Sequence, residues 1–203
     1  MRPATNSPKH AAQPHGGHGR GHVPQKCRVR LFTGDVVAGA HPLVLHTLLG
    51  SCVAVCLYDP MARIGGMNHI LLPGGCKDCI GPRFGVHAME LLINRLMGLG
   101  VDRRRLIAKA FGGANVLGGM QQTPIGDNNA RFVRDFLATE RIPLVAERLG
   151  GDQAVHVYFE AGSGKATVHS VDGLRLPKIL QAESVYSQTH LADIYRSGDI
   201  TLF

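Results

Sequence analysis

The strongest constraint in this chain is a pair of apolar runs divided by a turn signal. Val53-Ala54-Val55-Cys56-Leu57-Tyr58 has the composition of a strand buried on both faces, and it halts at Asp59-Pro60. Arg63 to Leu72 reads as the return strand, ending at Pro73-Gly74-Gly75. Runs this close form an antiparallel hairpin, whose loop length fixes which residues meet. With Pro60-Met61 as a two-residue turn, Asp59 faces Ala62 and Cys52 faces His69. Directly opposed residues carry their Cβ atoms roughly 4.5–5.5 Å apart on one face. A four-residue loop makes the two diagonal neighbours on that same face, and an odd loop separates them. The same parity puts Cys56 on the Cys52 face and Asn68 on the other.

A cysteine acts as a nucleophile when a base lies within hydrogen-bond reach and a third group orients that base. Cys52 and His69 meet the first condition by register. Gly50 and Ser51 precede the cysteine. Glycine admits close approach by a substrate, and backbone N–H groups there are candidates for stabilising an oxyanion. A cysteine and a histidine in apolar surroundings also serve as simple packing, so spacing alone leaves both readings open.

The rest of the chain frames that hairpin. Its 203 residues suffice for one domain with a core and short tails. Residues 1–26 are rich in Pro, Gly, His and Ala without hydrophobic period, and read as a disordered tail. The core is expected over 27–185, with a C-terminal extension at 186–203. Short strands are expected at Val29/Leu31, at Val36-Val37 and at Leu43-Val44-Leu45 running up to Gly50. Val86, Met89, Leu92/Ile93, Leu96 and Leu99 follow helical spacing and stop near Gly100. A strand over Arg105–Phe111 precedes the glycine-rich segment 112–119, and Asp127 is placed to cap a helix carrying Ala130, Val133, Phe136 and Leu137. Strands at 143–148, 154–160 and 166–171 follow, with turns at Gly150-Gly151 and Gly162–Gly164. Strands outnumber helices and pair locally, which predicts a mixed α/β sandwich with a largely antiparallel or mixed sheet, not a doubly wound parallel one.

Charge and composition exclude several function classes. The net charge is +7, yet residues 1–30 hold six basic side chains and no acidic one. The remainder carries 16 basic against 15 acidic residues, a balance of +1. The basicity belongs to the tail, which lacks an aromatic residue to stack on a base, so nucleic-acid binding is not expected. No run approaches the ~18 apolar residues of a membrane span, and the N-terminus has no apolar signal region. A cytoplasmic protein with reduced cysteines and no membrane insertion is expected. The five cysteines, at 27, 52, 56, 76 and 79, do not make an even disulfide set.

Several separated motifs, in order, resemble the CheD family. They are LLGSCVAVCLYDP at 48–60, GGMNHILLP at 65–73, the helix from Phe84 to Gly100, AKAFGGANV at 108–116, IGDNNARFV at 125–133 and LVAERLGGD at 144–152. The resemblance spans roughly residues 30–172. It implies a fold related to bacterial toxin-type cysteine deamidases. It also implies hydrolysis of selected glutamine amides to glutamate on methyl-accepting chemotaxis receptors, without metal or organic cofactor. By position it makes Cys52 the nucleophile and His69 its histidine. The family's third catalytic residue is a threonine six positions before the cysteine. That position is His46 here, and Thr47 follows it. Neighbours in a regular strand face opposite sides, so Thr47, favoured as a threonine-for-threonine replacement, serves only if the backbone shifts or bulges; otherwise His46 is the possible substitute or the triad is weakened. The alternative class is a non-catalytic adaptor on the same scaffold. It would bind chemoreceptors or a CheC-type CheY-phosphate phosphatase, and the departure at His46 supports it.

Other motifs carry less. Cys76-Lys-Asp-Cys79 is a lone CxxC without a second ligand pair, which leaves incidental thiols, redox modulation and zinc open. His10, His15, His18 and His22 could hold a divalent metal loosely, but a flexible tail without metal is the expectation. The segment 112–119 lacks the Gly-Lys-Ser/Thr ending of a phosphate loop, so nucleotide binding is not expected. Val116 and Leu117 fit either a partner contact or ordinary packing. His87, His156 and His169 show no partner at informative spacing.

Overall fold

The apolar run at 53–58 becomes the middle strand of a sheet. A computed structural model of the chain describes residues 26–72, 80–116 and 125–171, with backbone alone at 80–83. In chain order the strands are β1 (Cys27–Arg30), β2 (Val36–Ala40), β3 (Leu43–Leu49), β4 (Val53–Asp59) and β5 (Ile64–Ile70). Helix α1 (Ile80–Gly98), β6 (Ile107–Gly112) and α2 (Ile125–Thr139) follow, then β7 (Leu144–Leu149), β8 (Val155–Glu160) and β9 (Ala166–Ser170). They build a four-stranded sheet in the order β1-β3-β8-β9 and a five-stranded sheet in the order β2-β5-β4-β6-β7. Pairs β1–β3 and β6–β7 are parallel and the other pairs are antiparallel. The expected mixed α/β sandwich is what forms. The Cys76/Cys79 pair, the His-rich tail, Leu117 and the extension at 186–203 lie outside the described residues.

Burial on both faces explains why β4 reads as a continuous apolar run. Val53, Val55 and Leu57 face one core with Met89, Leu92 and Val133, between the larger sheet and the two helices. Ala54 and Cys56 face a second core with Leu45, Met67, Val157 and Phe159, between the two sheets. Asn68 lies on the helix side, as parity requires. Its Oδ1 accepts from Val55 N–H at 3.0 Å and its Nδ2 donates to the Ala88 carbonyl at 3.3 Å.

The hairpin corrects one expectation. Asp59 pairs with Ile64, so the loop is Pro60–Arg63 and not Pro60-Met61. The reason is the Asp59 carboxylate, which accepts from Met61 N–H at 2.9 Å and Ala62 N–H at 3.2 Å. Those residues cap Asp59 and cannot pair in the ladder, and Arg63 closes the loop with a positive φ of 56°. The register moves by two residues, which leaves every side chain on its expected face. His69 stands opposite Ala54, and Cys52, one residue before β4, is its diagonal neighbour on the same face.

Both helices also begin earlier than their signals. In α1 the end near Gly100 is a Schellman motif: Val101 N–H donates to the Leu96 carbonyl at 3.2 Å and Gly100 N–H to the Met97 carbonyl at 2.9 Å. Leu99 is thereby turned outward, 48% exposed, and does not join the buried face that its spacing predicted. Helix α2 starts at Ile125, so Asp127 lies inside its first turn and is not the cap. A negative charge there still suits the positive end of the helix.

Asp59 is fully buried, and Arg105 grips it through Nε at 3.0 Å and Nη2 at 2.9 Å. Those hydrogen bonds hold the carboxyl at about 2, below its ordinary 3.8. Replacing Asp59 with Asn removes a charge-assisted clamp, and Tm should fall by roughly 5 °C near neutral pH. A carboxyl held low stabilises the fold above its ordinary value and loses that contribution as pH drops through its folded value. The Tm gap between wild type and Asp59→Asn in thermal melts should therefore be full above pH 3.8 and close toward about 2.

Candidate functional site

Thr47, His69 and Cys52 all lie in the layer between the two sheets, where the first two are in contact. Strand β3 presents Thr47 inward beside Leu45 and Leu49, and β5 presents His69 to the same layer. Cys52 follows β3 by three residues and precedes β4 by one. Thr47 and His69 are each 1% exposed and Cys52 is 3% exposed, so water is largely shut out of all three.

Thr47 decides the state of the histidine. Its hydroxyl donates to the Leu31 carbonyl at 2.8 Å and lies 2.9 Å from His69 Nδ1. A hydroxyl has one proton to give, so toward Nδ1 it can only accept. His69 must therefore carry its proton on Nδ1, which leaves the Nε2 lone pair as the basic position. Thr33 Oγ1 stands 3.5 Å from Nε2, the outer limit of a hydrogen bond. The His69 backbone is held in turn by residues 34–35, its N–H donating to the Asp35 carbonyl at 3.0 Å and its carbonyl accepting from Gly34 N–H at 2.8 Å.

Thr47 needs no bulge in β3 to face His69, contrary to the condition set on it from the strand period. The ladder from β3 to β8 runs unbroken from Val44–Glu160 to Leu49–Val155, and Thr47 points inward without a bulge. The irregular residues are Gly50, Ser51 and Cys52, which sets the distance from Thr47 to the thiol outside the strand. His46 consequently faces the opposite side of the sheet. Its Nδ1 lies 3.3 Å from His156 Nε2, and its ring stacks on Tyr158 with centroids 5.5 Å apart. The structure brings Thr47, not His46, to His69. His156 does have partners, His46 and Tyr158, at separations or in directions that sequence spacing does not reveal.

Sequence reasoning also missed the cradle around the thiol. The carbonyls of Gly50, Ser51 and Cys52 are each held. Ala114 N–H donates to Gly50 at 2.8 Å, Asn129 Nδ2 to Ser51 at 2.8 Å and Gly113 N–H to Cys52 at 2.7 Å. The first and last come from the turn after β6, where Gly112 and Gly113 have φ of +104° and +69°. A Cβ on Gly112 would sit 2.3 Å from the Cys52 carbonyl oxygen, so only glycine allows the turn to reach the cysteine. That is the role of the glycines at 112–113, and the signal was their place beside a strand end. Among the described residues, no group of three or more His, Cys, Asp and Glu is arranged to hold a metal ion. No described helix is long and apolar enough to cross a membrane.

Cys56 shares the face of Cys52 but not its chemistry. Burial pushes its thiol far above the ordinary thiol range, with Lys109 opposing only weakly, so no thiolate forms there. Burial likewise lowers His69 to about 4 against an ordinary 6.5, while the Leu31 carbonyl pulls the other way. The resting imidazole is neutral at physiological pH, as a general base must be.

The His69 Cε1–H signal in an NMR titration should move with a midpoint near 4, where an exposed histidine moves near 6.5. The unfolded chain takes up this proton first as pH falls, so His69 favours the fold above pH 6.5 and that contribution is lost between pH 6.5 and about 4. His69→Gln should flatten that part of the stability profile, read as the urea midpoint against pH.

Known proteins share this sequence over most of its length. The family model for CheD chemotactic sensory transduction matches residues 74–170. The probable chemoreceptor glutamine deamidase CheD 1 of Shewanella oneidensis is 40% identical over 186 residues, which covers 88% of this chain and 89% of the relative. Proteins described as probable chemoreceptor glutamine deamidase CheD from Stenotrophomonas maltophilia and Xanthomonas euvesicatoria are 49% and 50% identical over 164 residues, each alignment covering 78% of this chain and 80% of the relative. Among solved structures, the hypothetical protein YfiH of Bacillus licheniformis overlaps with a TM-score of 0.38 at 18% identity, covering 56% of this chain and 49% of that one, which is too slight a likeness to bear on the site. With 40–50% identity across nearly nine-tenths to about four-fifths of both partners, the chain belongs to the CheD family.

Proposed function

We propose that this chain is a cytoplasmic cysteine hydrolase that converts selected glutamine side chains of chemoreceptors to glutamate, with Cys52 as nucleophile, His69 as base and Thr47 as its orienting partner. The observation that carries the reading is the Thr47–His69 contact at 2.9 Å, with the threonine proton committed to Leu31. It supports a neutral imidazole with a directed lone pair beside a buried thiol, as nucleophilic catalysis requires. The relatives, named as probable chemoreceptor glutamine deamidases, supply the substrate class. The family resemblance also carries a CheC-type phosphatase as a binding partner.

The chemistry divides into two acyl transfers. His69 Nε2 takes the Cys52 proton as sulfur attacks Cδ of the glutamine amide. The carbonyl becomes an oxyanion, and the backbone at Gly50 and Ser51 is the candidate to receive it. A trans peptide sets its N–H opposite its C=O, so tying the Gly50 carbonyl to Ala114 turns the Ser51 N–H the other way. The C–N bond then breaks, His69 returns its proton to nitrogen, and ammonia departs from a thioester. Water enters, gives one proton to His69 and attacks the thioester carbon. The C–S bond breaks, and the thiol regains its proton beside a newly formed glutamate. Every proton moves through one imidazole, and no cofactor is called for.

The adaptor reading drew its support from the residue at 46. With Thr47 on His69, the departure at His46 no longer argues against catalysis. Cys52→Ala should cut ammonia release from receptor fragments by more than roughly 1,000-fold, with the far-ultraviolet spectrum unchanged. Full activity in that variant would defeat the deamidase. Thr47→Val, which keeps the volume and removes the hydroxyl, should lower kcat on the order of 10–100-fold. His46→Ala should stay within about threefold of wild type, because its side chain lies on the far face of the sheet.

A further inference from the structure

The IGDNNARFV segment has no part in the reaction described so far, yet one of its side chains touches both halves of the site. Asn129, on the second turn of α2, is fully buried. Its Nδ2 donates to the Ser51 carbonyl at 2.8 Å, and its Oδ1 accepts from Leu72 N–H at 2.9 Å. Ser51 immediately precedes Cys52, and Leu72 follows His69 by three residues. The amide orientation is unambiguous, because a carbonyl can only accept and a backbone N–H can only donate. One planar group thus spans from the segment that delivers the nucleophile to the end of the strand that delivers the base.

We propose that Asn129 is a positioning residue that fixes Cys52 relative to His69, an inference that rests on the deamidase reading of the site. Cys52 precedes β4, so the ladder between β4 and β5 does not itself set the angle at which the thiol leaves the backbone. The Ser51–Cys52 peptide does. Holding its carbonyl toward α2 fixes the plane of that peptide, and with it the Cys52 Cα position and the direction of its N–H. The flanking carbonyls of Gly50 and Cys52 are held by Ala114 and Gly113, while Ser51 alone is held by a side chain that also grips Leu72, two residues beyond the end of β5. Helix α2 is itself seated against that turn. A Cβ on Gly126 would meet the Gly113 carbonyl oxygen at 2.4 Å, so Asn129 approaches from a surface already in register with the thiol's cradle.

Asn129→Asp tests this with minimal change of shape. It keeps an acceptor for Leu72 N–H and replaces the donor to Ser51 with an acceptor facing an acceptor. At a temperature where circular dichroism reports both proteins folded, kcat for ammonia release from a receptor fragment should drop on the order of 100-fold, with KM within about threefold. A second readout needs no receptor. The rate at which iodoacetamide alkylates Cys52, followed by mass spectrometry of its peptide against pH, should shift its inflection in the variant by about one pH unit or more as the thiol loses its base. A purely structural asparagine would lower Tm and leave both kcat per folded molecule and the alkylation profile where they are, and that result overturns the proposal. If Asn129→Asp does not fold, Asn129→Ser is judged by the same two measurements. Should wild-type protein release no ammonia, the deamidase reading falls on its own. The alkylation profile then decides the brace: a shifted inflection upholds it and an unmoved one rejects it.

Discussion

A single hydroxyl proton organises the buried polar contacts between the two sheets. Thr47 gives it to Leu31, and from that commitment the tautomer of His69 and the location of its lone pair follow. The Leu31 carbonyl is available because the chain turns immediately afterward. Phe32–Asp35 then folds back on the His69 backbone, and Phe32 N–H is capped by the Asp35 carboxylate at 2.8 Å. The two sheets are therefore joined at the site by directed bonds as well as by apolar packing. A buried polar group without partners would cost a few kcal/mol. Here each of Thr47, His69 and Asn129 has partners on a different element, so every bond also fixes one element against another.

Much of this was legible in the residues, and the limits are physical. Alternation in β4 and β5 sorts side chains between two cores because the strand period is two, so Cys52, Cys56 and Asn68 fell on the faces expected of them. Loop length was misread because Asp59 competes for the backbone of its own turn. A carboxylate with a guanidinium behind it is a tertiary effect that no local pattern carries. Leu99 matched a helical stripe and yet lies outside, because the Schellman turn at Gly100 ends the helical geometry before it.

The partner of His69 shows a different limit. Counting back from Cys52 lands on His46, and the count fails because Gly50–Cys52 is not strand, so it does not advance by the strand period. The family motif supplied the residue type and the sheet supplied the face. Together they point to Thr47, although neither does alone. Asn129 was invisible for another reason. Its partners lie 78 and 57 residues away, and an asparagine near a helix start ordinarily reads as a surface or capping residue.

Enzymes often carry their reactive groups on loops that soften before the scaffold melts. This protein seats Thr47 and His69 on strands paired on both sides, with Cys52 at the edge of a third such strand, between two sheets that share one apolar layer. No small opening frees one of them from the others, since Thr47 and His69 tie the two sheets together and the Ser51–Cys52 segment is tied to α2 and to Gly113. On the proposed assignment of these three residues, heat inactivation and cooperative unfolding are one event, and the surviving rate after a thermal challenge counts the molecules still folded.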